Sequence, residues 1–275
     1  MSKFIAAMDH SGGSTGGVLE RYGISEWNDG AGNESPSEKM RLVHDMRLRM
    51  VNSPLFTSKN IWAAILYKDT VDRGMVNTLD EKRINAILKI DSGCNEDGTL
   101  KDFDVEGMSA YAQSAGCMGT KMRSIVKSMD VLQPIINQQF ELAEIISKTG
   151  LVPIVEPEIP IDHPNKAELE EALLKALNAR LNYFKGKCIL KLTLPEEPNL
   201  YWELLMHQRV HKIVGLSGGY TTEEACRKLS QQDDMIASFS RALSEGLFVH
   251  QTEEEFNTAI GNNINMIVKA SNNAV

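Results

Sequence analysis

Short apolar runs alternate with longer stretches of helical periodicity along the chain. Eight runs read as strands: 4–8, 61–67, 86–90, 117–121, 152–156, 188–192, 213–217 and 235–239. Several are continuously apolar rather than alternating, the pattern of strands buried on both faces in a parallel sheet. The helical stretches between them have recognisable starts. Ser35-Pro36-Ser37-Glu38 is a capping box with proline at the first helical position, followed by Met40, Val43, Met46 and Met50 at helical spacing. The stretch 132–148 places Ile135, Ile136, Phe140, Ala143 and Ile146 on one face, and Gly150 stops it. The stretch 166–184 repeats the pattern with Leu169, Leu173, Ala176 and Leu177. Thr221-Thr222-Glu223-Glu224 and Thr252-Glu253-Glu254-Glu255 are two further capping boxes. The second opens a C-terminal helix carrying Phe256, Ile260, Ile264 and Ile267. The polar segments 77–82 and 95–104 read as loops, and 271–275 as a frayed tail.

Eight strands alternating with helices predict an α/β fold, a (β/α)8 TIM barrel. A doubly wound open sheet shares that alternation and is the second choice. No Pro/Gly/Ser-rich linker divides residues 1–275, so one domain is expected.

Composition narrows the function classes. With 275 residues, 42% hydrophobic and 24% charged, the chain is globular rather than disordered. Its 29 Lys+Arg against 37 Asp+Glu leave a net charge of −8, which argues against a nucleic-acid partner. An anionic substrate remains open, because local charges set that. No run approaches the length of a membrane span, so no membrane partner is expected. Cys94, Cys117, Cys188 and Cys226 form no CxxC pair and fit no zinc spacing. Free thiols and the lack of a signal-peptide pattern point to a cytoplasmic location. His207 and His211 stand four apart before the seventh run, with no third ligand nearby, and read as surface or structural residues. His44 lies among helix-periodic residues and reads as structural. The 13 methionines fall mostly on core stripes. No metal and no cofactor is expected.

In a parallel barrel the chemistry sits at the C-terminal ends of the strands. Those ends carry Asp9, Lys89 and Asp91, Lys121 and Arg123, Glu156 and Glu158, Ser217-Gly218-Gly219, and Ser238, Ser240 and Arg241. Lys191 lies inside an apolar run. A buried lysine needs a partner, and its bland explanation is an ion pair. Its sharper explanation is a Schiff-base nucleophile, which needs a neutral amine although free lysine titrates near ~10.4. A second cation such as Lys121 lowers such a pKa. Pro157 keeps Glu156 and Glu158 extended, so both carboxylates face one site. Ser217-Gly218-Gly219 and Ser240-Arg241 occupy the places where barrels often bind phosphate. Ser11-Gly12-Gly13-Ser14 forms a second small-residue loop beside Asp9. Lys89 and Arg123 suit a second phosphate.

Together these residues resemble class I fructose-bisphosphate aldolase, the shorter bacterial-type members most closely. The matching segments are Ala6-Ala7-Met8-Asp9, Leu88-Lys89-Ile90-Asp91, Thr120-Lys121-Met122-Arg123, Val152-Pro153-Ile154-Val155-Glu156-Pro157-Glu158, Leu190-Lys191-Leu192-Thr193, Leu216-Ser217-Gly218-Gly219 and Ser238-Phe239-Ser240-Arg241-Ala242-Leu243. They run nearly the whole length of the chain. The resemblance implies a metal-independent, reversible cleavage of fructose 1,6-bisphosphate to dihydroxyacetone phosphate and glyceraldehyde 3-phosphate. It implies Lys191 as the Schiff-base residue and Glu156 as general acid and base. Glu158 would position the lysines by hydrogen bonding, Lys121 would assist proton transfer, and Asp9 would contact the hydroxyl whose proton leaves during cleavage. Ser217, Gly218, Gly219, Ser240 and Arg241 would hold the ketone-side phosphate. Ser11, Ser14, Lys89 and Arg123 would face the other, and Ser238 would line the pocket. A sugar phosphate is the implied small-molecule partner, in a homo-oligomer serving glycolysis or gluconeogenesis.

The chain departs from the family at several points. It ends in Asn273-Ala274-Val275, without the terminal tyrosine of animal members. His10 stands where an acidic residue or Gln is common, and Ser240 where Gly is frequent. The segment 71–84 is short, and no leading helix precedes the first strand. Two other functions fit parts of the pattern. A transaldolase would also use a strand lysine, on a monophosphorylated donor. A catalytically silent barrel would bind a partner without turnover.

Overall fold

The computed structural model describes residues 3–11, 14–27 and 35–271. Eight strands form one sheet in sequence order: β1 (Phe4–Met8), β2 (Ile61–Leu66), β3 (Asn85–Lys89), β4 (Gly119–Ile125), β5 (Val152–Glu158), β6 (Cys188–Thr193), β7 (Val210–Leu216) and β8 (Ile236–Ala237). Every neighbouring pair is parallel. A backbone hydrogen bond from Ala7 N to Phe239 O, 3.3 Å, bridges the first and last strands. The sheet therefore curls into a nearly closed (β/α)8 barrel, and the open-sheet alternative falls.

The strand side chains sort by parity. Ile5, Ala7, Ala63, Ile65, Ile87, Ile154, Ile189, Val214 and Ile236 fill the barrel interior. The intervening residues pack outward under the helices, in a second and larger apolar cluster. Both faces are buried, which explains the continuous apolar runs. On several strands the inward parity simply continues past the apolar layer into polar or charged side chains. Ile87 is followed two residues on by Lys89, Ile154 by Glu156, Ile189 by Lys191, and Ile236 by Ser238.

The β5–β6 seam is unusual. Val152 N and Glu158 O bond to the β4 side, so even-numbered residues of β5 direct their backbone groups there. Odd-numbered Pro153, Val155 and Pro157 then face β6, where prolines present no N–H. Register is accordingly limited to Ile154↔Ile189 and Val155↔Leu190. Above it, the Thr193 side chain takes over. Its Oγ1 donates to Ile159 O at 2.8 Å and accepts from Ile159 N at 3.0 Å. That clamp fixes the spacing of the strand tops that carry Glu156 and Lys191.

Other expectations need adjustment. Residues 77–81 belong to the helix Met75–Glu81, held by buried Met75 and Leu79, rather than to a loop. Ser271 is buried at the end of the helix Glu253–Ser271 rather than frayed. Residues 272–275, 12–13 and the side chain of Ser14 lie outside the described residues. The helix 132–148 begins earlier, as Met129–Lys148, and Gly150 follows it at φ +87°. Thr252 and Glu255 form the full reciprocal capping box, at 2.9 and 3.3 Å. Ser35 and Thr221 accept from Glu38 N and Glu224 N, while those glutamates turn to Arg41 and Arg227. The four cysteines are free thiols.

A charge network of buried Lys166, Glu170 and Lys228 around half-exposed Glu196 supports the loop after β7 from behind. Glu196 receives Lys166 Nζ at 2.9 Å, Lys228 Nζ at 2.9 Å and Tyr220 Oη at 3.0 Å. Lys166 also binds Glu170 and the Leu194 carbonyl. Burial alone would raise the Glu196 pKa, but the hydrogen bonds from Lys228 and Lys166 outweigh it and bring it down to about 2. A depressed carboxylate contributes stability above its ordinary range and loses it as pH falls through the folded value. Glu196→Gln is therefore expected to lower Tm at pH 7 by about 2–4 °C. Thermal unfolding across pH should show the gap to the parent closing between about 4.5 and about 2. A gap independent of pH would contradict the assignment.

Candidate active site

A cavity of about 530 Å³ opens at the C-terminal ends of the strands. Every site residue singled out in the sequence lines it, apart from Ser14, whose side chain lies outside the described residues. Four charged groups form its floor in alternating order. Asp9 meets Lys121 at 2.7 Å, Lys121 meets Glu156 Oε2 at 3.2 Å, and Glu156 Oε1 meets Lys191 at 2.9 Å. Lys121, Glu156 and Lys191 are each buried. Two carboxylates and two ammonium groups make the set formally neutral, which is what lets it leave water.

The electrostatics follow from that order. Burial would raise the Asp9 pKa, but Lys121 and Lys191 outweigh it and hold the carboxyl well below the usual range. Burial would lower the Lys121 pKa, but Asp9, Glu156 and Asp91 outweigh it and hold the ammonium above the ordinary lysine value. Lys121 is thus a fixed cation beside Glu156. The Lys121–Glu156 contact is an ion pair without hydrogen-bond alignment. Glu156 Oε2 remains a buried acceptor with no hydrogen-bond donor, and Ser238 Oγ is likewise buried and unpartnered. Buried polar atoms are rarely left so unless something else meets them.

The geometry changes the expected part of Glu158. Its ion pair is with Arg123, at 3.0 Å, and Glu156 is the carboxylate that touches both lysines. The two glutamates share a parity, so the difference is one of height: Glu158 sits one inward step nearer the mouth, where partly exposed Arg123 reaches it. Burial raises the Glu158 pKa. Lys89 is tied to Asp91 at 3.0 Å, and Asp91 also accepts from Gly93 N at 3.1 Å.

Two loops complete the rim. Ser217–Tyr220 is a tight turn closed by Tyr220 N to Ser217 O at 2.9 Å. Gly218 and Gly219 take φ +56° and +117°, which favour glycine. A Cβ on Gly218 would also stand 2.8 Å from the Ile161 side chain. After the neighbouring strand β8, Arg241 begins the helix Arg241–Ser244, and this exposed residue lines the same cavity. Backbone donors, hydroxyls and a free-ended arginine on one rim suit a phosphate.

Asp91, Gly93, Cys94 and His10 also line the cavity. Asp91 and His10 stood next to strand ends, whereas Cys94 had no readable signal. His207 and His211 lie at the opposite end of β7, with the His211 ring against Trp62 at 5.6 Å. Among the described residues no group of three His, Cys, Asp or Glu is placed to hold a metal ion, and no helix is long and apolar enough to cross a membrane.

Comparison with known proteins adds independent information. No protein-family model matches the chain. A curated relative from Synechocystis sp., fructose-bisphosphate aldolase class 1, is 44% identical over 283 residues, covering 98% of this chain and 93% of that protein. A solved fructose-bisphosphate aldolase from Plasmodium falciparum superposes with a TM-score of 0.75 at 20% identity, covering 98% of this chain and 90% of that one. An archaeal fructose 1,6-bisphosphate aldolase superposes with a TM-score of 0.59 at 12% identity, over 97% and 94% of the two chains. At those identities the solved structures speak for the fold alone.

The charge order predicts unequal costs for the two lysines. Lys121→Met strands Asp9 and leaves Glu156 with Lys191 alone, whereas Lys191→Met leaves both carboxylates paired with Lys121. Removing one partner of a buried pair costs about 3–5 kcal/mol. Denaturant unfolding is expected to show that loss for Lys121→Met and a clearly smaller one for Lys191→Met. Equal losses would contradict the shared role of Glu156.

Proposed function

The chain belongs to the class 1 fructose-bisphosphate aldolases, and from that membership we propose the part each residue of the cavity plays in the reaction. The enzyme is a lyase that reversibly cleaves fructose 1,6-bisphosphate to dihydroxyacetone phosphate and glyceraldehyde 3-phosphate through a lysine Schiff base, without a metal. Membership removes the transaldolase alternative. The observation that carries the residue assignment is the buried Glu156 carboxylate 2.9 Å from Lys191 Nζ.

Lys191 Nζ attacks the ketose carbonyl to give a carbinolamine. Two protons pass from nitrogen to oxygen through Glu156. It first takes one from the Lys191 ammonium, freeing the amine, and gives it to the carbonyl oxygen as the carbinolamine forms. It then takes a second from the carbinolamine nitrogen and gives it to the departing hydroxyl, so water leaves and an iminium remains. Its second oxygen faces Lys121, which keeps a proton donor beside it throughout. The iminium draws in the electron pair of the breaking C–C bond, forming an enamine. Asp9, ionised and lodged on Lys121, accepts the hydroxyl proton as the aldehyde forms. Glu158 holds Arg123 at the mouth rather than touching the lysines.

The phosphates are placed by the rim. Ser217, Gly218, Gly219, Ser240 and Arg241 take the ketone-side phosphate, with Ser238 beneath it. Ser11, Ser14, Lys89 and Arg123 take the aldehyde-side phosphate. Binding remote from the reacting bond orients that bond over Lys191. A cytoplasmic, glycolytic setting and a homo-oligomer belong to the same reading. Free thiols support the first, and exposed Tyr183, Trp202 and Met206 support the second.

Steady-state assays with fructose 1,6-bisphosphate in EDTA test the assignment. Lys191→Met is expected to abolish turnover, and Glu156→Gln to lower kcat by about 10²–10⁴-fold. Arg241→Ala is expected to raise KM by about 10–100-fold, the loss of a charge-assisted hydrogen bond to phosphate. Turnover by Lys191→Met would overturn the nucleophile, and a folded parent without turnover would favour the silent barrel.

A further inference from the structure

Two residues of the cavity wall from opposite ends of the chain, His10 and Ser240, touch each other. Ser240 Oγ lies 2.9 Å from His10 Nε2 and 3.4 Å from His10 Nδ1. The contact spans the weakest seam of the barrel. β8 has only two residues and pairs with β7. Toward β1, the Ala7 N to Phe239 O bond at 3.3 Å crosses the gap, one residue short of Ser240. The His10–Ser240 contact is the next crossing, at the level of the cavity.

From this geometry we infer that His10 is a positioning residue for the ketone-side phosphate: its Nε2–H donates to Ser240 Oγ, closes the β1–β8 seam, and leaves the serine proton free to donate to the anion beside Arg241. The inference rests on the reading of Ser240 and Arg241 as a phosphate site.

The chemistry of a hydroxyl requires this division. Serine has one proton and can accept as well as donate. If Ser240 gave its proton to the imidazole, it would turn only lone pairs toward an anion. With His10 as donor the proton remains available. The imidazole is built to stay in one place. The His10 carbonyl accepts from Arg47 Nη2 at 2.6 Å, and Arg47, 1% exposed, is itself pinned to Thr70 Oγ1 at 2.5 Å. The charged groups that act on the ring are Asp9, Arg47, Arg21 and Lys121. Burial pushes its pKa down to about 4, Asp9 opposing and Arg47, Arg21 and Lys121 adding to the fall. A neutral ring carries one N–H, so the donor to Ser240 is a matter of tautomer, not of charge. Ser240 is joined directly to Arg241, so fixing the serine also fixes the start of the short helix that carries the guanidinium.

Kinetics on single and double variants test this. His10→Ala and Ser240→Ala should each raise KM for fructose 1,6-bisphosphate by about three- to tenfold, the worth of one hydrogen bond, with kcat held within about twofold. The double variant should be no worse than the worse single one, because both remove the same bond. His10→Gln, whose amide can donate to Ser240 Oγ, should restore most of the parent KM. A merely structural role would not be rescued in KM while leaving kcat untouched. If His10→Ala fails to fold, His10→Gln against Ser240→Ala carries the comparison: the first must match the parent and the second must not. An unchanged KM in His10→Ala, multiplying effects in the double variant, or a fall in kcat at constant KM would overturn the inference. Arg241→Ala separates the levels. If it raises KM while the His10 variants are silent, only this inference falls. If it too is silent, the phosphate site falls with it.

Discussion

Glu156 stands between two buried lysines, and the rest of the site depends on how that carboxylate is shared. One oxygen meets Lys191 at 2.9 Å and the other meets Lys121 at 3.2 Å, while Lys121 reaches on to Asp9 at 2.7 Å. Four charges this deep are tolerable only as an alternating, balanced series, since an unpaired one costs several kcal/mol. Removing a member changes the protonation of its neighbours as well as its own contact. The side chains proposed to transfer protons are therefore also the ones that hold the barrel mouth together. On the proposed assignment no large rearrangement is needed before the ketose carbonyl meets Lys191, because Glu156 already touches it.

The barrel makes this arrangement by parity. Each strand turns alternate residues inward, and the apolar interior built from Ile87, Ile154, Ile189 and Ile236 gives way, one inward step later, to Lys89, Glu156, Lys191 and Ser238. Tall apolar layers below set the height of the charged layer above. Where β5 lacks donors toward β6 because of Pro153 and Pro157, Thr193 clamps the two strand tops instead. The loop after β7 owes its shape to two positive-φ glycines, and it is backed by Tyr220 and Glu196. The proposed catalytic residues are thus placed by strand positions, and the proposed phosphate residues by loops braced from outside.

Much of this was legible in the sequence, and for identifiable reasons. The eight strands announced themselves because both faces are buried and the runs are apolar. Lys191 stood out because a charge inside such a run needs an explanation. Glu156 and Glu158 were correctly placed in one cavity, because an extended chain projects residues two apart to one side. What stayed hidden were choices among partners. Nothing local says that Glu158 binds Arg123 while Glu156 takes both lysines; that depends on a height difference along the barrel axis. His10 and Ser240 are separated by 230 residues and meet only because the last strand closes on the first. The short helix Met75–Glu81 carries too few apolar residues, Met75 and Leu79, for periodicity to separate it from a polar loop.

The central claim is that Lys191, held by Glu156, forms the imine. Borohydride reduction in the presence of dihydroxyacetone phosphate, followed by peptide mass mapping, tests it most directly. The account predicts a stable adduct on the peptide containing Lys191, and none on the peptide containing Lys121. An adduct on Lys121, or no adduct in folded protein that binds the ligand, would contradict it.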